Sequence, residues 1–174
     1  MRTESRERIV LGLDPGSRLT GWGAVAVDAD RLRHLGSGAI RSNSRQSLPQ
    51  RLGHIHSEIT SVIKAIQPSE IAVEQVFMAP KMAKAALVLG HVRGVLLLAA
   101  AQHTDQVYEY APRQIKQAIV GTGAAAKDQI QFMIGRLLGL SDALQEDQAD
   151  ALAAAICHAH THVPGRSALV GGVR

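Results

Sequence analysis

A single cysteine, Cys157, stands in 174 residues, which excludes an intramolecular disulfide and fits a reducing compartment. Aromatic residues are almost as scarce: one Trp, two Tyr and two Phe, 3% of the chain, so Leu, Ile, Val and Ala must fill the core. Long apolar runs are missing too. Val95 to Ala101, which no run exceeds, falls far short of the ~20 residues of a membrane helix. The first eight residues, Met1-Arg-Thr-Glu-Ser-Arg-Glu-Arg8, are too charged for a signal peptide. The expectation is a soluble protein with no membrane association, placed in the cytoplasm.

What is present fits one α/β domain over 1–174, with a core over about 9–160 and a loose Gly-rich tail over 163–174. Hydrophobic residues make up 46%, enough for a sizeable core. Nineteen Lys and Arg against fifteen Asp and Glu give +4, a balance that suits a polyanionic partner without singling one out.

Ile9 to Leu13 is an apolar run ending in the turn Asp14-Pro15-Gly16-Ser17, and Trp22 to Val27 and Leu32 to Ile40 follow as two further strands. The period then changes: Leu48, Leu52, Ile55, Ile59, Val62, Ile63 and Ile66 mark one face of a helix that Pro68 stops. A strand at Ile71 to Phe77, a helix at Met82 to Ala101 and a strand at Val107 to Tyr110 come next. Helices are then predicted at Arg113 to Val120, Lys127 to Leu138 and Glu146 to His160. This order predicts a five-stranded mixed sheet flanked by helices, its first three strands antiparallel and its last two reached by helical crossovers.

Two acids break otherwise apolar strands, Asp14 at the end of Ile9-Val-Leu-Gly-Leu13 and Glu74 inside Ile71-Ala-Val-Glu-Gln-Val-Phe77. A carboxylate buried in a sheet needs a partner or an exit to water, so each alone reads equally well as a strand-end residue meeting solvent or an arginine. Asp147 and Asp150 sit at i and i+3 in the first turns of an Ala-rich helix, a place where the helix dipole favours acids for purely structural reasons. Close packing of that Ala-rich helix on the sheet would carry Asp150 toward the other two. Carboxylates gathered in one place repel unless a cation neutralises them, and hard oxygen ligands favour Mg²⁺ or Mn²⁺. Two such ions about 4 Å apart are a standard device for phosphodiester hydrolysis. The rival metal motif, His158-x-His160-x-His162, is expected to fan around different faces of its helix.

Several blocks together resemble the RuvC-type Holliday junction resolvases. They are Leu11-Gly-Leu-Asp-Pro-Gly-Ser-Arg-Leu-Thr-Gly-Trp-Gly23, Leu35-Gly-Ser-Gly-Ala-Ile-Arg41, Ala72-Val-Glu-Gln-Val-Phe-Met78, Leu89-Gly-His-Val-Arg-Gly94, Tyr108-Glu-Tyr-Ala-Pro-Arg-Gln-Ile-Lys-Gln117 and Asp147-Gln-Ala-Asp-Ala-Leu-Ala153, in order across about 9–160. The resemblance implies a ribonuclease-H-like fold and a homodimer that cuts four-way DNA junctions by two symmetric nicks, leaving 5′-phosphate ends, in recombination and repair. It implies two metal ions per site, held by Asp14, Glu74, Asp147 and Asp150. It assigns Phe77 a base-stacking role at the crossover and puts Lys116 and Lys127 near the scissile phosphate. Lys81, Lys84, Arg93 and Arg113 are further expected phosphate contacts. A branch-migration complex of the RuvA–RuvB type would be its partner, and the bacterial nucleoid its place of action. One departure stands out: where the family has a polar segment, this chain reads Met78-Ala-Pro-Lys-Met-Ala-Lys-Ala-Ala-Leu-Val-Leu89.

Other readings are a nuclease of the same fold acting on RNA–DNA hybrid or other branches, an actin-like or sugar-kinase ATPase, and a non-catalytic junction binder. The ATPases need a second phosphate loop and a much longer chain, and a mere binder gains nothing from four acids facing DNA.

Overall fold

In a computed structural model, the chain is described over residues 7–29, 31–76, 83–142 and 144–162. Strands β1 (Arg8–Asp14), β2 (Leu19–Asp28) and β3 (Arg31–Arg41) form the antiparallel meander read from the sequence. Strands β4 (Glu70–Glu74) and β5 (Val107–Tyr110) join on the other side of β1, both parallel to it, giving the order β3-β2-β1-β4-β5. Helices α1 (Leu48–Ile66) and α2 (Ala83–Ala101) supply the two crossovers, and α3 (Pro112–Val120), α4 (Lys127–Leu138) and α5 (Glu146–Thr161) follow β5.

Alternation along the strands divides the sheet into two faces. Leu11, Leu13, Ala24, Ile71 and Val73 point toward α1 and α2, where Ile55, Ile59, Ile63, Val92 and Leu96 complete an aliphatic core. Val10, Val25 and Ala72 point the other way, onto α5, with α3 and α4 closing over its flanks. By the same alternation Asp14 shares the α5 face with Val10, and Glu74 shares it with Ala72. The sheet therefore aims both acids at one helix.

That helix lies unusually close to the sheet because the strands beneath it are bare. A Cβ on Gly12 would fall 1.9 Å from the Ala151 carbonyl oxygen, and one on Gly21 2.0 Å from the Asp147 carbonyl oxygen. Gly23 lies beneath the Leu152 side chain in the same way. From Ala151 to His158 every residue of α5 is buried. Helix starts share one device, a glutamine at N3 that accepts from the N-cap backbone N–H: Gln50 to Ser47, Gln114 to Ala111, Gln129 to Ala126, and Gln148 to Gln145 at the head of α5.

Two expectations need adjusting, and some site residues lie outside the described residues. Strand β4 ends at Glu74 rather than Phe77, because its partner β5 ends at Tyr110, two residues before Pro112 opens α3 at its first turn. Phe77 itself lies outside the described residues, as do Lys81 and the whole of the atypical stretch that precedes α2, 78–82. In addition, α2 contains a window, Lys84–Ala101, long and apolar enough to cross a membrane by length and composition, although Lys84, His91 and Arg93 interrupt it. Only 22% of that window is buried. Val92, Leu96, Ala99 and Ala100 reach the core, while Leu87 and Leu98 are 62% and 53% exposed.

Candidate active site

Asp14 and Glu74 end adjacent parallel strands, one residue beyond the paired Leu13 and Val73. Asp150 reaches them from the second turn of α5. Together they line a cleft of about 290 Å³ that Lys116 of α3 and Lys127 of α4 also line. Pro112, Ile115, Ile130 and Ala153 make the rest of the wall apolar, which lowers the local dielectric and strengthens every charge–charge interaction inside.

The electrostatics follow from this crowding. Burial, then the charges of Glu74, Asp150 and Asp147, push Asp14 up to about 7. Burial and Asp150 push Glu74 up to about 7 as well, against the pull of Lys127 and Lys116. Asp150 is raised by burial, partly offset by Lys127, whose Nζ stands 3.7 Å from its Oδ2. Lys127 also pairs with Glu146, and that hydrogen bond, with the charges of Asp150, Glu146 and Asp14, pushes its ammonium up against the opposing effect of burial. Near neutral pH the cluster thus needs either protons or a cation to coexist. Carboxylate oxygens with two lysines at the rim suit a hard divalent cation better than zinc, since no thiolate or imidazole faces this cleft among its lining residues.

Asp147 is set apart from the other three. It is half-buried at the edge of α5, its backbone carbonyl pressed on Gly21, and it does not line the cleft itself. Its charge is nonetheless felt at both Asp14 and Asp150.

The remaining expected contacts scatter around this centre. Arg113 is exposed at the start of α3 with its side chain over Gly123, and Lys84 is exposed at the start of α2. Arg93, in the middle of α2, pairs with Glu109 of β5.

A second group of potential ligands lies at the far end of α5: Glu70, His158 and His162, with ligand atoms all within 4.8 Å. The expectation that the three C-terminal histidines fan apart is thus corrected for two of them. His158 and His162 are four residues apart, on one helix face, and their rings stack at 4.9 Å. This group is built as a hydrogen-bonded network. His158 Nε2 is 2.5 Å from Glu70 Oε2, and its Nδ1 is 2.7 Å from the Tyr110 hydroxyl, so both ring nitrogens are engaged. Arg8 takes both Glu70 oxygens at 2.8 Å. Burial alone would raise Glu70, but the hydrogen bonds from His158 and Arg8 bring it down to about 2. Burial lowers His158, against the pull of Glu70, so the neutral ring bridges a tyrosine and an ion pair. Nothing in the sequence pattern links Glu70 to His158, 88 residues apart.

The family model for "Crossover junction endodeoxyribonuclease RuvC" matches residues 10–158. A crossover junction endodeoxyribonuclease RuvC from Geobacter sp. (strain M21) is 48% identical over 166 residues, covering 95% of this chain and 99% of that protein. The solved structure of Thermus thermophilus RuvC in complex with Holliday junction substrate superposes with a TM-score of 0.81 at 35% identity, covering 88% of this chain and 93% of that one. The yeast mitochondrial Holliday junction resolvase shares the fold at a TM-score of 0.62 and 11% identity, over 87% of this chain and 77% of its own. The mixed sheet and its flanking helices are those of the ribonuclease-H-like nucleases, and the chain belongs to the RuvC family of crossover junction endodeoxyribonucleases.

Proposed function

We propose that this protein resolves four-way DNA junctions by metal-dependent hydrolysis of one phosphodiester on each of two opposing strands. The observation that carries the reading is the cleft itself: Asp14 and Glu74 at adjacent strand ends, faced by Asp150, with both strand acids pushed up to about 7. Near neutral pH such acids are only partly protonated, and a divalent cation readily takes the place of the protons. Divalent ions, Mg²⁺ or Mn²⁺ and two per site, supply Lewis acidity and neutralise the charge that develops at the scissile phosphate. Asp14, Glu74 and Asp150 are the residues to hold them, with Asp147 completing the set from the rim. Lys116 and Lys127 draw the phosphate toward an acid-lined cleft that would otherwise repel it.

Paired cuts on a near-twofold substrate need two sites in register, which an isologous homodimer supplies. The exposed Leu87 and Leu98 on α2, bordering an apolar groove with Leu52 and Val95, support that face as the interface. Cytoplasmic action and a branch-migration partner of the RuvA–RuvB type belong to the same proposal, and membership of the family supports them.

The test is a labelled mobile junction incubated with Mg²⁺, Mn²⁺ or EDTA. Wild-type protein is expected to yield paired, ligatable nicks only with a divalent cation, and Asp14→Asn to bind the junction but leave it whole. Cutting by Asp14→Asn near the wild-type rate would show the site assignment to be wrong. A monomeric mass at micromolar concentration would count against the dimer.

A further inference from the structure

Three arginines gather where the turn after β1 meets the end of β3: Arg18, Arg41 and Arg51. They do not share one role. Arg51, on α1, has its guanidinium already engaged: Nε donates to Ser42 Oγ at 2.7 Å and Nη2 donates to the Ser17 carbonyl. The Ser42 N–H in turn donates to the Arg18 carbonyl at 2.9 Å. Arg51 therefore ties the two loops into one rigid frame. Thr20, fully buried, adds a bond from its hydroxyl to the Gly16 carbonyl at 3.1 Å.

On that frame Arg18 and Arg41 are exposed and flank an open concavity of about 640 Å³, whose other walls are Ser42, Asn43 and Ser44. Among the described residues neither arginine makes an ion pair. Arg41 pairs in register with Leu19, the neighbour of Arg18, so the two side chains belong to one sheet edge. That edge is the one at which Asp14 ends β1, opposite Gly21, two residues from Leu19 on the same strand. Ala39, the partner of Gly21, stands two strand spacings from Asp14, and Arg41 lies two residues further along β3, about 12 Å from Asp14.

We infer that Arg18 and Arg41 form a phosphate clamp for a DNA strand entering the cleft from the β2–β3 side. The inference rests on the junction-cutting reading above. Two unpaired guanidinium forks on a rigid backbone frame match the geometry of phosphodiester oxygens, and Arg18 is only four residues beyond Asp14. Contacts of this kind position the strand and carry no sequence information. The clamp lies across the sheet from Lys116 and Lys127, so the strand is held on both sides of the acids.

The experiment is the salt dependence of junction binding in EDTA, where no cutting occurs. It compares wild type, Arg18→Ala/Arg41→Ala, Arg18→Lys/Arg41→Lys, and Arg31→Ala at the opposite end of β3. Each lost phosphate contact lowers the slope of log K against log salt by about 0.9. The double alanine variant is expected to lose roughly 1.8 from the slope and about tenfold in affinity at moderate salt, with the thermal midpoint unchanged. The double lysine variant keeps the slope, because charge is retained, but binds more weakly than wild type because the fork is lost. Arg31→Ala leaves both nearly untouched. If wild type itself binds no junction, the functional reading fails and the clamp with it. If wild type binds with a steep slope that the double alanine variant retains, the clamp alone is overturned.

Discussion

Replacing Gly21 by alanine tests whether bare strands set the position of α5, the helix that carries Asp147 and Asp150. Gly21 is paired with Asp14 on one side and Ala39 on the other, so its backbone cannot recede. The added Cβ would lie 2.0 Å from the Asp147 carbonyl oxygen and 2.7 Å from its carbon, about 1.4 Å inside an ordinary contact distance. The head of α5 must lift by an ångström or so, carrying Asp147 and Asp150 away from Asp14. Overpacking of this kind costs about 1–3 kcal/mol, which at roughly 2–4 °C per kcal/mol lowers the thermal midpoint by several degrees. The catalytic effect is larger, since a misplacement near 1 Å costs on the order of a hundredfold in rate. Gly53, exposed on α1 with nothing within 4 Å of its hypothetical Cβ, is the matched control. There the same substitution is expected to stabilise by about 0.5–1 kcal/mol. Thermal unfolding and single-turnover cleavage of a labelled junction measure both variants. A Gly21→Ala protein with wild-type midpoint and rate would refute the argument that α5 is seated by direct contact with that glycine.

Two further outcomes follow from the titrating groups. Asp14 and Glu74 bind protons more tightly folded than unfolded, so metal-free stability falls as pH rises from the ordinary carboxylate range to about 7. In EDTA, Asp14→Asn/Glu74→Gln should be more stable than wild type at pH 8, with the gap closing toward pH 5 and on adding Mg²⁺; a gap independent of pH sinks the idea. Glu70 behaves oppositely: held down at about 2, it contributes stability above its ordinary value that is lost as pH falls toward 2. Glu70→Gln leaves half-buried Arg8 without its counter-charge and is expected to cost about 2–3 kcal/mol at pH 7, a deficit that urea unfolding should find much reduced at pH 3.

Much of the fold was legible because its signals are local and periodic. The step pattern from Leu48 to Ile66 returned α1 with both ends correct, and the short apolar runs returned all five strands in their observed directions. The errors sit where a partner sets the boundary. β4 stops at Glu74 because β5 offers nothing to pair with beyond Tyr110, and no property of Gln75, Val76 or Phe77 announces that. Distance along the chain hid the Arg8–Glu70–His158–Tyr110 network altogether. Its signal would have been a glutamate opening an apolar strand and a histidine inside an alanine-rich helix, each explained equally well by solvent.

The four acids were legible to different degrees, and their geometry keeps that difference. Asp14 and Glu74 are anomalies of composition, acids in apolar strands, and period-two alternation alone puts both on the face that α5 covers. Asp150 is an ordinary acid at a helix start until Gly12, Gly21 and Gly23 are read together. Only strands without side chains let the helix descend far enough for a carboxylate in its second turn to meet two at the strand ends. The glycines of Leu11-Gly-Leu-Asp and Thr20-Gly-Trp-Gly are thus as much a part of the candidate site as the acids, although they hold nothing. Asp147 stays at the rim, felt through its charge rather than through a place in the cleft. Of the four acids, it is therefore the one whose loss should weaken cutting without abolishing it, a gradation that alanine variants of Asp14, Asp147 and Asp150 would expose.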